Sequence, residues 1–399
     1  MNAEEIEQLK DAVRAEVDRW APTLVDVSHR LHADPELAFA EHHAHDLLTG
    51  VIEQAGLDVE RGAFGLDTAF RATAGNEGPA IGVFCEYDAL PGIGHACGHN
   101  VIAAAGLGAG LAAAALASRA GGRVMIYGTP AEEGGGGKVV MARNGAFAEL
   151  DAAMMIHPAD ADLTRIDAIA IQQVVATYHG RAAHAAAAPW DGINALDAAV
   201  LGYQAIAALR QHIRPDERVH GVFVEGGDKA NIVPARAVMD WYVRSPTIAS
   251  LQPLKARVQA ALEAGATATG CTVEIAWGDR AYAEMLDNDS LLGAYQANAA
   301  TLGRIVQTPE AAGSRVVGST DMGTVSYLVP SIHPMIRVAP PGTAIHTVAF
   351  AEHAAGPAGD AAVLDGAKAM AMTVIDAWCR PEVLDAARAA FRPDRSVLD

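Results

Sequence analysis

The sequence predicts an α/β protein: a catalytic domain with a mostly parallel sheet flanked by helices, carrying an inserted smaller α+β domain. Three observations lead there. Short continuous apolar runs at 80–84, 123–127 and 152–156 alternate with helix-patterned stretches, the rhythm of parallel strands joined by crossover helices. From about Ala168 the order changes to strand, helix, strand, strand, helix, strand, which fits a compact ferredoxin-like unit. The chain also has 399 residues, beyond the size at which a single core stops growing. These features divide it into a discontinuous large domain, 1–170 with 285–399, and an inserted domain, 171–284.

The elements follow in order. Helical periodicity runs over 3–32 and breaks at Asp34-Pro35, and a second helix over 41–55 closes at Gly56. Extended runs at 57–60 and 69–73 precede the apolar run 80–84, which reads as a strand buried on both faces. The glycine-rich turn Gly94-His95-Ala96-Cys97-Gly98-His99-Asn100 leads into a helix over 101–120. That helix is the most membrane-like stretch, but it is built of Ala and Gly rather than Leu, Ile and Phe, so a buried core helix is expected. Strand 123–127, turn 128–137, helix 138–144 and strand 152–156 follow. In the inserted unit, strand 168–178 is followed by helix 193–213, strands 219–225 and 236–243, helix 248–264 and strand 271–277. The chain then returns through helices 290–302 and 322–329 and strand 331–338 to a terminal helix, 360–378, with Asp360 as its N-cap.

The composition narrows the function classes. Net charge is −19 with no basic run, which argues against nucleic acid or an anionic membrane surface as partner. The N-terminus is acidic and amphipathic and lacks the basic start and apolar core of a signal peptide. Four scattered cysteines, Cys85, Cys97, Cys271 and Cys379, do not form a disulfide framework, so a cytoplasmic location is expected.

Chemistry-bearing side chains gather just after predicted strands, where parallel sheets place their sites. Cys97 and His99 lie in the turn after strand 80–84, and these side chains suit borderline-soft metals; a buried cysteine beside a capping histidine is the alternative. Glu132 and Glu133 follow strand 123–127. Adjacent carboxylates there call for a positive charge between them, although a solvated acidic turn shows the same pattern. His157 closes strand 152–156, where an imidazole taken alone reads first as a satisfied core histidine, and His346, in Thr343-Ala344-Ile345-His346-Thr347, is ambiguous taken alone. Other motifs fail. The 134–138 run lacks the first glycine and the Ser/Thr of a phosphate loop, the glycines at 92, 94 and 98 lack dinucleotide spacing, and no Gly-x-Ser-x-Gly elbow occurs.

Together, 28–37, 94–100, Pro130-Ala131-Glu132-Glu133-Gly134, His157-Pro158 and His346 resemble the M20 metallopeptidase/amidohydrolase family, in the subgroup of aminoacylase-like, auxin-conjugate and p-aminobenzoyl-glutamate hydrolases. The resemblance extends through Gly180-Arg181-Ala182-Ala183-His184-Ala185 and Asn231-Ile232-Val233-Pro234. It implies a centre of two divalent ions, zinc or manganese with cobalt and nickel as alternatives, held by Cys97, His99, Glu133, His157 and His346, with Glu132 as general base. It further implies that the inserted domain is a lid and homodimer interface and that His184 steadies the oxyanion across that interface. Asn231, Arg244, Ser319 and Thr320 would contact substrate, and Asp88 would orient a ligand from behind. The implied activity is cleavage of the amide bond of small N-acyl or N-aroyl amino acids. A dipeptidase or carboxypeptidase on short peptides, and a non-catalytic metal-dependent dimer that binds small ligands, are the alternatives. Asn100, where the subgroup often has Asp, points to the p-aminobenzoyl-glutamate and dipeptidase-like branch.

Overall fold

The computed structural model describes residues 1–313 and 317–398, which form two compact units: Met1–Asp167 with Met285–Asp399, and Ala168–Glu284. In the first unit, α1 (Ala3–Ala33) and α2 (His42–Gln54) precede β1 (Val59–Arg61), β2 (Phe70–Ala74) and β3 (Ala80–Glu86). Next come α3 (His99–Ala120), β4 (Arg123–Thr129), α4 (Gly137–Arg143), β5 (Ala152–Met154) and β6 (His157–Ala159). The main sheet has the order β1-β2-β4-β3-β5 and then Ser331–Ile332. Its last four strands are parallel, and β1 and β2 form an antiparallel edge.

Period-two alternation divides the core. Ile81, Val83, Val124 and Ile126 face one cluster, built with α1, α3 and the helix Pro357–Cys379. Phe84, Met125 and Tyr127 face another, built with Met141, Phe147, Met322 and Val325. Both faces of the parallel strands are therefore covered, as their unbroken apolar character requires. The α3 helix is long and apolar enough to cross a membrane, yet 83% of its most apolar window is buried inside the protein. Gly106 lets it approach β3 closely, because a Cβ there would lie 2.4 Å from the Phe84 carbonyl oxygen.

Several elements differ from the sequence reading. The single strand expected at 331–338 is two, Ser331–Ile332 and Met335–Arg337, separated by His333-Pro334. Proline cannot donate to a ladder, and the second piece pairs with β6 instead of β5. The terminal helix begins at Pro357 with Gly356 as N-cap; Asp360 lies in its first turn, where a carboxylate favours the helix dipole. Helices Val348–Ala354 and Pro381–Ala390, which escaped the sequence reading, flank it.

The second unit is a four-stranded antiparallel sheet. Its strands are Ala170–His179, Arg218–Glu225, Arg236–Ser245 and Thr272–Trp277; in chain order the sheet runs fourth, first, third, second. Helices Ala195–Arg210 and Ile248–Thr269 cover one face, burying Val174, Tyr178, Trp241 and Leu262.

Candidate metal centre

Three sheet strands and one loop build the site. β3 ends at Glu86, and Asp88 follows it. The chain then turns through Gly98, whose φ of +81° belongs to the left-handed region, and α3 begins at His99. A side chain at Gly98 would collide with Pro158, 2.8 Å from its Cβ, so the turn can lie against the His157 loop only as glycine. β4 leads into Ala131, Glu132 and Glu133. Ala131 has φ +60° and donates its backbone N–H to buried Glu41 at 2.9 Å. His346 also has a positive φ, +62°, and its N–H is held by the Ala96 carbonyl at 2.8 Å. Strained backbone at non-glycine positions persists where the surroundings over-determine it, as functional sites do.

These segments converge. Cys97 Sγ lies 3.3 Å from His157 Nε2. His99 Nε2 lies 3.5 Å from Glu86, 3.8 Å from Glu132 and 3.9 Å from Glu133. His346 Nε2 lies 3.3 Å from Glu133 Oε1. Two donor groups, Cys97/His99/His157 and Cys97/Glu133/His346, share the thiol, with ligand atoms within 4.8 Å of one another; Glu86/His99/Glu132 is a third. Buried His99 Nε2 and Glu133 Oε1 have no hydrogen-bond partner among the described residues, as expected of atoms that face a cation.

The remaining contacts aim these atoms. Asp88 takes His99 Nδ1 at 3.0 Å and accepts from the Glu133 backbone N–H at 2.9 Å. His157 Nδ1 bonds the Pro158 carbonyl at 2.7 Å, which turns Nε2 toward Cys97. A carboxylate or carbonyl behind these two imidazoles fixes their tautomer and orientation.

Electrostatically the site is crowded with acid. Burial pushes the Glu132 carboxyl well up, with the Glu86 and Glu133 charges adding to it. Burial also opposes ionisation of Glu133, but the close approach of His346 and the His99 imidazole outweigh it and hold this carboxyl below its usual range. The two adjacent carboxyls are thus driven apart, one toward holding a proton and one toward charge. Burial lowers His157 to about 4, with His99 acting in the same sense. Burial raises the Cys97 thiol well above its ordinary value, with Glu133 adding to it.

Beside the His99 imidazole, whose affinity for its proton is raised, against the cost of burial, by Cys97 and Asp88, Lys138 brings a second positive charge to this cluster. Fully buried, it binds Glu86 and lies 2.6 Å from Asp321 Oδ1, while its backbone N–H meets Asp321 Oδ2 at 2.9 Å. Glu86, Lys138, Asp321 and buried His333 were not among the residues singled out from sequence. Lys138 was legible there only as the lysine of a failed phosphate loop.

The other expected site residues fall on both units. Thr320 is buried beside Asp321, and Ser319 is half-buried. His184 and Asn231 lie on paired loops of the second unit, where Ala185 N–H donates to the Asn231 carbonyl at 3.0 Å; neither residue is buried. Arg244 is half-buried on the strand Arg236–Ser245, opposite Ile171 and Arg218. His95 is buried against His32, and Asn100 ties α3 to Ser28 at 2.9 Å and to the Ala354 carbonyl at 3.1 Å.

A parallel sheet whose strand ends carry a Cys/His/Glu donor set beside a buried, proton-retaining carboxyl is the architecture of a metallohydrolase. The chain belongs to peptidase family M20/M25/M40, whose pattern matches residues 83–376. It is 40% identical to the Xaa-Arg dipeptidase of Mus musculus over 98% of this chain and 94% of that one. It is 34% identical to a p-aminobenzoyl-glutamate hydrolase component of Escherichia coli (strain K12) over 72% of this chain and 64% of that one. Among solved structures, a dinuclear metal-binding peptidase of the M20 family from Bacillus subtilis shares the fold with a TM-score of 0.64 at 20% identity, covering 88% of this chain and 98% of that one.

Proposed function

We propose that this chain is a metal-dependent hydrolase of dipeptide or N-acyl amino acid amide bonds, with dipeptides carrying a basic C-terminal residue as its preferred substrates. The observation that carries the reading is the convergence of Cys97, His99, Glu133, His157 and His346 around unpartnered, buried ligand atoms next to Glu132. The dipeptide preference is supported by the near full-length similarity to Xaa-Arg dipeptidases, and a net charge of −19 favours the approach of cationic substrates. A second reading, hydrolysis of aroyl-glutamates, is supported by the Escherichia coli relatives.

One thiolate, three imidazoles and a carboxylate suit two zinc or manganese ions. Bound there, such ions would polarise the scissile carbonyl and acidify water. Glu132, beside the donor set with its carboxylate 3.8 Å from His99 Nε2, is the residue to accept the proton of the attacking water and return it to the leaving amine. Asp88 and the Pro158 carbonyl keep the imidazoles aimed throughout.

The exposed edge strand Arg218–Glu225, with Val222 and Val224 62% and 63% exposed, supports a homodimer formed through the second unit. In such a dimer His184 would serve the partner's site as an oxyanion donor.

Metal analysis of the purified protein, followed by a panel of Xaa-Arg and Xaa-Lys dipeptides, N-acyl amino acids and aminobenzoyl-glutamate, tests the reading. Metal-dependent turnover that is highest on the basic dipeptides is expected. Undiminished activity after exhaustive chelation overturns the mechanism, and faster turnover of the aroyl-glutamate selects the second reading.

A further inference from the structure

Each of the four parallel strands points its carboxyl end at the site. β3 leads to Glu86 and Asp88, β4 to Glu132 and Glu133, and β5 to His157. The fourth strand, Ser331–Ile332, leads to His333, for which the roles above have no use.

His333 is 2% exposed, and its ring centre lies 5.5 Å from that of His157 with the planes at 76°. Neither Nδ1 nor Nε2 has a hydrogen-bond partner among the described residues. The other unpartnered atoms nearby, His99 Nε2 and Glu133 Oε1, belong to groups with ligand spacing; His333 belongs to none of them. Burying an imidazole with both nitrogens unbonded is costly, and a fold retains such a group where something else completes its hydrogen bonds. A neutral imidazole has one N–H to give, and the oxygens of an amide substrate are acceptors. The strand ends at Ile332; Pro334 follows His333, and the piece after it pairs with β6, which keeps the ring at the sheet's edge by the His157 loop.

We propose that His333 is a substrate-binding residue, donating a ring N–H to an oxygen of the bound substrate, either the terminal carboxylate or the scissile carbonyl. The assignment rests on the amide-hydrolase reading above.

The test uses the full-length, metal-loaded protein and its H333L, H333N and H333Q variants. Metal content, kcat and KM are measured on an Xaa-Arg dipeptide and on the same dipeptide as its C-terminal amide. H333L is expected to keep its metal and lose roughly 10–100-fold in kcat/KM, the effect of a hydrogen bond to a charged or developing charge. Either H333N or H333Q should recover part of that loss, according to which ring nitrogen donates. A loss in KM confined to the free acid places the bond on the carboxylate, and a loss in kcat on both substrates places it on the carbonyl. Values within twofold of wild type in all three variants, or losses that track lost metal, overturn the proposal while leaving the hydrolase reading intact. A loaded wild type that cleaves no amide overturns both.

Discussion

Asp88 grips the two halves of the candidate centre at once: one carboxylate oxygen meets His99 Nδ1 at 3.0 Å, and the other accepts from the Glu133 backbone N–H at 2.9 Å. Burial opposes its charge, but the His99 imidazole and the Glu133 N–H hold the carboxyl below its ordinary range. Asp88 therefore stays ionised and fixes where two candidate ligands from different strand ends sit. Asp88→Asn keeps the shape but offers a single acceptor oxygen and loses the charge. Metal affinity should fall roughly 10–100-fold, the usual cost of removing a partner from behind a ligand. Calorimetric titration of metal into the metal-free protein measures it; unchanged affinity removes Asp88 from this role.

Glu132 differs from its neighbour in having a raised rather than a lowered carboxyl pKa. If it is the proton carrier and Glu133 a ligand, Glu132→Gln should bind metal normally and lose about 10²–10⁴-fold in turnover. Glu133→Gln should lose metal first. Metal analysis alongside kcat separates the two, and near-normal turnover in Glu132→Gln would sink the assignment.

Most of the sheet was readable because each parallel strand is a short, unbroken apolar run, a signal that needs no knowledge of its neighbours. Cys97, His99, Glu132, Glu133 and His157 were readable for a related reason, since each follows such a run. The ionic support was not. Lys138 meets Glu86 and Asp321 across 52 and 183 positions of sequence, and no local periodicity encodes a pairing of that span. His333 was hidden inside a run that looked like one continuous strand. Only the change of pairing partner from β5 to β6 shows that His333-Pro334 is a break.

Lys138 is the counterion for this excess of acid. It is wholly buried between Glu86 and Asp321, and its charge opposes the rise that burial imposes on Asp321, whose carboxyl stands at about 6. Lys138→Met preserves volume and leaves two buried carboxyls without their cation. Breaking a buried pair by removing one partner costs about 3–5 kcal/mol. Chemical denaturation of the metal-free protein should show a loss of that order for the first unit, and Lys138→Arg, too bulky for a sealed site, should not restore it. A midpoint unchanged in Lys138→Met would show that the cluster is hydrated or protonated enough to stand alone.

The buried histidines predict acid sensitivity, and His95 gives the clearest case because it is outside the donor groups. Burial lowers it to about 3, with the His99 and His32 imidazoles acting in the same direction. Unfolded, it would titrate near 6.5. A histidine with a depressed folded pKa stays neutral in the native state while the unfolded chain takes up the proton. Its stabilising contribution is therefore complete above about pH 6.5 and is lost as pH falls toward 3. Each unit of separation is worth about 1.4 kcal/mol, so acidification from pH 6.5 to 4.5 should cost the metal-free protein up to about 3 kcal/mol through this residue alone. His157, lowered to about 4, adds to the loss in the same window. His95→Gln, which cannot titrate, should flatten the dependence of stability on pH between 6.5 and 4.5 by that amount. Denaturation midpoints measured at half-unit steps of pH in both proteins supply the comparison, and parallel curves for variant and wild type would show that His95 protonates without opening the fold.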